Sequence, residues 1–171
     1  MNNKSRQSYK DLRVLEMARE RVMFEKGQLD NVDLSIRDER GRNTLYWAIK
    51  NRNRHNVKML LKHDIDLMVE KNLHALVHAI ASKDMEVFIH LFNTIDADVN
   101  LKDHEGRTLL MKAVEYEAIP FVRYIMQQGA TLKLRDKYNK NIVDYIKNCK
   151  NQDIFNLIHY RILNEKMRQA V

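Results

Sequence analysis

The chain has 171 residues, with 44% hydrophobic and 31% charged side chains, four glycines and one proline. This composition excludes a disordered chain and a turn-rich β architecture, and it favours a single globular, mainly helical domain. The net charge of +7 is unevenly spread: residues 37–63 hold eight Arg and Lys against two acids, whereas residues 84–117 hold eight acids against three Arg and Lys. We therefore expect a basic part and an acidic part on one molecule.

Targeting signals and disulfides are not evident. The opening MNNKSRQSYK lacks the apolar segment of a secretion signal, and no stretch reaches the roughly 20 apolar residues of a membrane span. The single Cys149 has no second cysteine for an intramolecular disulfide. We expect a cytoplasmic protein with no membrane span, and secretion without a cleaved signal stays open.

In chain order, residues 8–26 come first, with apolar side chains at helical spacing among charges. This pattern predicts a leading helix that ends near Gly27 and covers one end of the rest of the molecule. The pair Asp33-Leu34 then recurs, with substitutions, after 33, 32 and 33 residues, and a small or aliphatic residue recurs at a similar period. The two series are Asp33, Asp66, Asp98 and Thr131, and Ala48, Ala79, Ala113 and Ile146. Periods of 20–50 residues predict stacked structural repeats.

The clearest unit spans residues 103–135. Gly106 suits a tight turn, Thr108 suits the N-cap of a helix, and Pro120 suits the first turn of a second helix. Gly129 then supplies the left-handed residue that commonly ends a helix. The unit is therefore expected to be a turn followed by two helices.

This unit resembles the ankyrin-repeat family, whose repeat opens with Asp-x-x-Gly-x-Thr-Pro-Leu-His-x-Ala. Asp103, Gly106, Thr108, Leu110 and Ala113 match that opening. The resemblance implies an all-α fold, an ankyrin-repeat solenoid of about four helix-turn-helix units with an N-terminal capping helix. The predicted boundaries are residues 1–29 for the tail and cap, residues 30–171 for the repeat domain, and units at 38–68, 69–102, 103–135 and 136–171.

The departures from the family pattern predict a less regular array. No unit retains the full Thr-Pro-Leu-His tetrad. Asp64 and Asp96 stand where the third unit has Gly129, and a left-handed Asp is less comfortable than a left-handed Gly. We expect modest stability.

The candidates for chemistry are better explained by structure. His74 and His78 have the spacing of two metal ligands on one helix face, but the Glu of a metalloprotease motif does not follow His74. The segment Asp96–Asn100 imitates a calcium loop, yet the required Gly and final Glu are missing. Cys149 has no His near it in sequence to act as a base. We expect no enzyme, no catalytic residue, no cofactor and no metal site.

The family resemblance implies a non-catalytic protein–protein interaction module, which binds a partner protein through a concave face of hairpin tips and first-helix ends. Trp47, by contrast, is expected in the core. The alternating charges of the exposed set suit a charge-complementary protein partner. The predicted partner-binding residues are Arg40, Arg42, Lys50, Lys71, His104, Glu105, Arg107, Glu115, Tyr116 and Tyr138.

Several alternatives stay open. The protein could be a bacterial effector that acts on host proteins, or an inhibitor or immunity-type protein paired with a toxin or enzyme. The basic patch of residues 37–63 could bind anionic lipid or nucleic acid, although the acidic stretch beside it argues against nucleic acid. We expect a monomer, with a homodimer through Phe155, Ile158 and Ile162 of the apolar C-terminal segment as the alternative.

Overall fold

The computed structural model describes residues 3–169, and within that range the fold is mostly helical with one short pair of strands. Residues 1–2 of the predicted tail and residues 170–171 of the last predicted unit lie outside the described residues. The helical content agrees with the predicted all-α repeat class. The chain divides into two compact bodies, an N-terminal body up to residue 97 and a C-terminal body from residue 98.

The N-terminal body contains a leading helix and two helix pairs. In this body α2 packs beside α4 and α3 packs beside α5, which buries one face of each helix. The elements are α1 (Asn3–Arg19), α2 (Thr44–Lys50), α3 (Arg54–Leu60), β1 (Met68–Glu70), β2 (Leu73–His74), α4 (Ala75–Ala81) and α5 (Met85–Thr94). The strands β1 and β2 form an antiparallel hairpin in front of α4.

The leading helix ends at Arg19, so the prediction that it continues to Gly27 is wrong. Arg21 adopts a left-handed conformation with φ 67°. The N–H of Val22 donates to the carbonyl of Met17 at 2.8 Å, a bond that closes the helix end. Arg21 thus does what the sequence suggested for Gly27, which lies in a later turn.

Buried amides hold the leading segment against the first helix pair. Asn56 is fully buried; its Oδ1 accepts the N–H of Phe24 at 2.8 Å, and its Nδ2 donates to the carbonyl of Val22 at 2.8 Å. Asn51 donates to the carbonyl of Ala18 at 2.8 Å. The bond from Asn51 reaches a carbonyl in the last turn of α1, and the bonds of Asn56 satisfy backbone groups of the segment that follows this helix.

The C-terminal body contains two helix pairs, with α6 packed beside α8 and α7 beside α9. Its helices are α6 (Leu109–Glu115), α7 (Ile119–Gln127), α8 (Ile142–Lys147) and α9 (Gln152–Gln169). Three local predictions are confirmed here. The Thr108 side chain caps α6, Pro120 lies in the first turn of α7, and Gly129 follows α7 with φ 89°.

Each helix pair follows a hairpin turn with one left-handed residue, two positions before the N-cap of the first helix. This residue is Gly41 or Gly106 in two hairpins, as the turn prediction required, and Asn in the other two. The φ angles are 76° at Gly41, 61° at Asn72, 75° at Gly106 and 62° at Asn139.

A second left-handed residue follows the first helix of three pairs, and nothing in the sequence signals it because the residue is charged rather than Gly or Asn. The three residues are Arg52, Lys83 and Glu117, with φ of 54°, 53° and 50°. Asp96 is left-handed at φ 48°, as expected, whereas Asp64 does not have a positive φ, so that expectation is wrong.

The predicted dimer surface on α9 is partly internal. Ile158 is fully buried, and Phe155 and Ile162 are half-buried, because this face of α9 packs into the C-terminal body. Ile158 is therefore not available to a second chain.

Candidate functional site

One carboxylate organises the first hairpin of the N-terminal body. Asp38 Oδ1 accepts the backbone N–H groups of Arg40 and Arg42 at 2.9 and 3.0 Å. Its Oδ2 accepts Arg42 Nε at 2.8 Å and Trp47 Nε1 at 3.1 Å. Burial pushes the pKa of Asp38 upward, but the hydrogen bonds from Arg42, Arg40 and Trp47 together outweigh it and leave the pKa below its ordinary value.

The prediction placed Arg42 at an exposed hairpin tip, and that placement is wrong. Arg42 is 5% exposed. Its guanidinium lies 4.4 Å from the centre of the Trp47 ring while Nε holds Asp38. A planar guanidinium can stack on an aromatic ring and bind a carboxylate at the same time, which explains the burial of this cation. Trp47 itself is 8% exposed, so the core prediction for Trp47 is confirmed.

Two further cations lie against the same indole ring. Lys50 Nζ is 4.9 Å and Arg19 Cζ is 5.4 Å from the centre of the Trp47 ring. Arg19 ends α1 and Lys50 ends α2, and Asn51 joins the two ends by donating to the Arg19 carbonyl at 3.1 Å. We name the four side chains Arg19, Arg42, Trp47 and Lys50 the Trp47 cluster. Sequence reasoning missed Arg19, because its position depends on how α1 packs.

The other predicted contact residues of this body lie at hairpin tips. Arg40 in the first hairpin and Lys71 in the second are exposed. A shallow depression of about 270 Å³ between the hairpins is lined in part by Gly41, Lys71 and Asn72. Arg40 and Lys71 are therefore free to meet a partner.

Half of the cations in the basic patch of residues 37–63 are engaged within the N-terminal body. Four of its eight cations are engaged: Arg37 by Asp66, Arg42 by Asp38, Arg52 by the Ser82 carbonyl and Arg54 by Glu86. Arg40, Lys50, Lys58 and Lys62 have no acid within 4.0 Å among the described residues. The patch is thus a set of separate cations rather than a continuous basic track.

A concave pocket of about 340 Å³ lies in the C-terminal body. Its walls come from the two hairpins and from α6, α8 and the residues that follow these helices. Four of the predicted partner-binding residues meet in this pocket: Glu105, Arg107, Glu115 and Tyr138.

Glu105 ties the two hairpins of the C-terminal body together. Its Oε1 accepts the Lys137 ammonium at 3.0 Å and the Tyr138 hydroxyl at 3.2 Å, and its Oε2 lies 2.9 Å from Arg107 Nη1. Its backbone carbonyl accepts the Lys137 N–H at 2.9 Å. The hydrogen bond from Lys137 is the largest influence that lowers the pKa of Glu105, and Arg107 and Tyr138 lower it further.

Arg107 is shared among three carboxylates. Its Nε donates to Asp103 at 2.8 Å, and its Nη1 lies 2.9 Å from Glu105 and 3.8 Å from Glu115. Asp103 repeats the role of Asp38, because its Oδ1 accepts the N–H groups of Glu105 and Arg107 at 2.9 Å each. Burial alone would raise the pKa of Asp103, but these bonds from Arg107 and Glu105 hold it below its ordinary value.

Asp136 is the third carboxylate of this kind. Its Oδ1 accepts the N–H groups of Tyr138 and Lys140 at 2.9 Å each, and its Oδ2 accepts the Tyr145 hydroxyl at 2.7 Å. Burial, followed by the bond to Asp136, raises the pKa of Tyr145 well above its ordinary value. Sequence reasoning missed Tyr145. An aromatic donor nine residues after a hairpin Asp, as in Asp38 and Trp47, was the available signal.

The remaining predicted residues of this body lie apart from the pocket. His104 is exposed at the hairpin, and Tyr116 is half-buried with Lys112 Nζ 5.0 Å from its ring centre. Lys112 pairs with Glu115 at 2.5 Å. Cys149 is half-buried in the pocket wall. The predicted exposure of Tyr116 at the end of the first helix is therefore only partial.

The two histidines spaced as metal ligands have separate structural uses. His74 Nδ1 accepts the Leu76 N–H at 3.1 Å and so caps α4. His78 stacks on Tyr46 with ring centres 4.3 Å apart, and its Nε2 lies 3.2 Å from the Tyr46 carbonyl. In the part of the chain that the structure describes, no group of three or more His, Cys, Asp or Glu side chains could hold a metal ion.

Comparison with known proteins places this geometry in context. A family model described as ankyrin repeats in three copies matches residues 17–103. The chain is 27% identical over 125 residues to an ankyrin repeat protein of fowlpox virus (strain NVSL), an alignment that covers 73% of this chain and 21% of that protein. It is 25% identical over 153 residues to an ankyrin repeat protein of Acanthamoeba polyphaga mimivirus, covering 82% and 20% respectively. The chain thus spans about a fifth of the length of these curated relatives. Within residues 3–169, no helix is both long and apolar enough to cross a membrane.

Proposed function

The chain belongs to the ankyrin-repeat family, whose repeats generally mediate protein–protein interaction, and from that premise we propose that it binds a partner protein through its hairpin tips and first-helix ends. The observation that supports this proposal best is the pocket of the C-terminal body, where Glu105, Arg107, Glu115 and Tyr138 meet. These residues come from two hairpins and one helix, so the fold concentrates the polar and aromatic side chains that interfaces favour.

The pocket is well prepared for binding because its hairpins are already fixed. Glu105 is bonded to Lys137, Tyr138 and Arg107, so these side chains are linked to one another before a partner arrives. Ordering a flexible side chain on association costs about 0.5–1.5 kcal/mol, and this cost is reduced when the chain is held in advance. Tyr138 remains 58% exposed, and it offers an aromatic surface in a fixed position.

The role is proposed to be non-catalytic, with no cofactor and no metal. In the N-terminal body, α1 covers one side of α2, which is consistent with the proposed role of α1 as a cap. The continuous solenoid of about four units, the monomeric state and the cytoplasmic location stay predictions. The bacterial-effector setting and the inhibitor or immunity-type setting also stay predictions, and the partner's identity would separate them.

The test compares two exposed tyrosines of the same body. Tyr138 lies in the pocket wall, whereas Tyr160 is 67% exposed on α9 outside that wall. A partner captured by the wild-type chain is then titrated against Tyr138→Ala and Tyr160→Ala. We expect Tyr138→Ala to weaken binding about tenfold or more, as for an interface anchor, and Tyr160→Ala to leave it unchanged. Equal affinity of the two variants for the partner would refute the proposed binding face.

A further inference from the structure

The Trp47 cluster holds more positive charge than its surroundings neutralise. Three cations, Arg19, Arg42 and Lys50, lie within 5.4 Å of the centre of one indole ring. Asp38 pairs with Arg42 at 2.8 Å, which accounts for one of the three. Arg19 and Lys50 have no acid within 4.0 Å among the described residues, and both are exposed. Two positive charges are therefore left without a carboxylate partner on this surface.

Neighbouring acids do not supply the missing charge. Glu16, one turn before Arg19 on α1, and Glu20, directly after α1, lie 3.7 and 3.6 Å from Arg13 instead. The pKa of His78 is lowered by burial, and the positive charge of Lys50 lowers it further. The field at this surface is therefore positive on the described side chains alone.

Two local features keep the cations in place. The face of an indole ring attracts a cation, and the last turn of a helix favours a positive side chain. Lys50 and Arg19 each end a helix and each lie against the Trp47 ring, so both features favour their positions without a carboxylate. Their N–H donors consequently remain free to bind a ligand.

We propose that the Trp47 cluster binds an acidic segment of the protein partner, with Asp or Glu carboxylates seated between Arg19 and Lys50. This inference rests on the proposed function, since it names the chemistry of the partner that the proposed function requires. A carboxylate matches the fork of a guanidinium and can accept from the neighbouring ammonium at the same time. A nucleic acid needs a longer basic track with several unpaired cations, whereas half of the basic patch is already engaged.

The experiment measures the affinity of a defined acidic probe for the full chain. A fluorescein-labelled peptide of eight glutamates is titrated by anisotropy, and a peptide of eight glutamines serves as the uncharged probe. Trp47 is the single tryptophan, so its emission reports whether the peptide lies at this cluster. We expect saturable binding of the glutamate peptide, a change in Trp47 emission, and weaker binding as salt is added.

Matched variants locate the site. Arg19→Gln and Lys50→Gln are each expected to weaken binding about two- to fivefold, the upper part of the range for one exposed ion pair. Lys62→Gln removes the same charge from an exposed position outside the cluster and is expected to leave the affinity unchanged. Equal losses in Lys50→Gln and Lys62→Gln would show attraction by net charge only and overturn the inference. Tighter binding of an eight-nucleotide poly-dT or of phosphatidylserine vesicles than of the glutamate peptide would also overturn it.

The inference and the proposed function can fail separately. If the captured partner binds Lys50→Gln as tightly as wild type but is lost with Tyr138→Ala, the acidic-segment inference is overturned and the proposed function stands. If neither variant alters partner binding, the proposed binding face fails as well.

Discussion

Replacing His78 by Phe is expected to remove a pH-dependent loss of stability from the N-terminal body. His78 is 7% exposed. Burial lowers its pKa from 6.5 to about 4, against the opposing hydrogen bond to the Tyr46 carbonyl and with a further contribution from the charge of Lys50. At neutral pH the imidazole is therefore uncharged in the folded protein.

The sign of the effect is set by the two pKa values. Below about pH 6.5 the unfolded chain binds a proton at His78 that the folded chain does not bind. The free energy of unfolding therefore decreases as the pH is lowered. The fall ends near pH 4, where the folded protein binds the proton too. The difference between the two pKa values, at 1.36 kcal/mol per unit, is worth about 3 kcal/mol in full and about 2 kcal/mol between pH 7 and pH 4.5. This is a large fraction of an ordinary domain's stability.

The assay is urea unfolding followed by the emission of Trp47, which lies in the same body as His78. Phe retains the ring stack on Tyr46 but not the hydrogen bond, so His78→Phe should cost about 1 kcal/mol near pH 7. At about pH 4.5 the variant should equal or exceed the wild type. His74 and His90 also have lowered pKa values, so some pH dependence will remain in both proteins.

The control is His63→Phe, at an exposed position of the same body. It should leave the pH dependence of the unfolding free energy unchanged. If wild type and His78→Phe lose the same stability between pH 7 and pH 4.5, the assignment of a buried neutral imidazole is refuted.

Two substitutions test the architecture of the bodies. Gly106→Ala should lower the thermal midpoint, measured by far-UV circular dichroism, more than Gly41→Ala does. Both glycines have φ near 75°. An added Cβ at Gly106 meets Lys137 N at 3.2 Å, whereas the space around Gly41 is open. The strain of a left-handed alanine costs about 1–2 kcal/mol in either variant. Equal decreases of the midpoint in the two variants would therefore contradict the close approach between Gly106 and Lys137. Asn56→Ala should destabilise the N-terminal body by about 2 kcal/mol or more in urea unfolding, because the buried N–H of Phe24 loses its acceptor. A loss of stability below about 0.5 kcal/mol would contradict this role of Asn56.

Turn and cap chemistry was predictable from sequence because it acts over a few residues. Gly106, Thr108, Pro120 and Gly129 all lie where their local conformational preferences place them. The end of α1 was not predictable in this way. A left-handed Arg21 ends the helix, and the following segment bonds to Asn56, which is more than 30 residues away in sequence.

The burial of the site residues could not be predicted from the sequence, since the same local Asp–Arg motif is buried to different extents in two repeats. Arg42 and Arg107 both donate Nε to the Asp four residues before them at 2.8 Å. The Arg42 side chain is 6% exposed and that of Arg107 is 21% exposed. The difference comes from Trp47, which lies against Arg42, whereas the matching position in the other repeat is Lys112. Sequence spacing determines the ion pair but not the side chain that covers it.

The repeats differ in the side chain at the position four residues after the N-cap of the first helix, and in the contacts that this side chain makes. The N-caps are Asn43, His74, Thr108 and Asn141, and the matching positions hold Trp47, His78, Lys112 and Tyr145. Trp47 and Tyr145 donate to the hairpin carboxylate nine residues before them, His78 contacts the carbonyl of Tyr46 in the preceding repeat of its body, and Lys112 pairs with Glu115.

The caps and left-handed turns that surround this position stay constant while its side chain changes from indole to imidazole, ammonium and phenol. In one body this position belongs to the Trp47 cluster, and in the other its Tyr145 lines the pocket; these are the two surfaces for which we propose binding.

Exchanging Trp47 and Tyr145 between the two bodies should preserve the bond to the hairpin Asp in each body. Far-UV circular dichroism should show that both bodies remain folded. The glutamate peptide should bind that exchange variant more weakly, since phenol attracts a cation less strongly than indole and holds Arg19 and Lys50 less firmly. Unchanged affinity would mean that the ring does not position the cations.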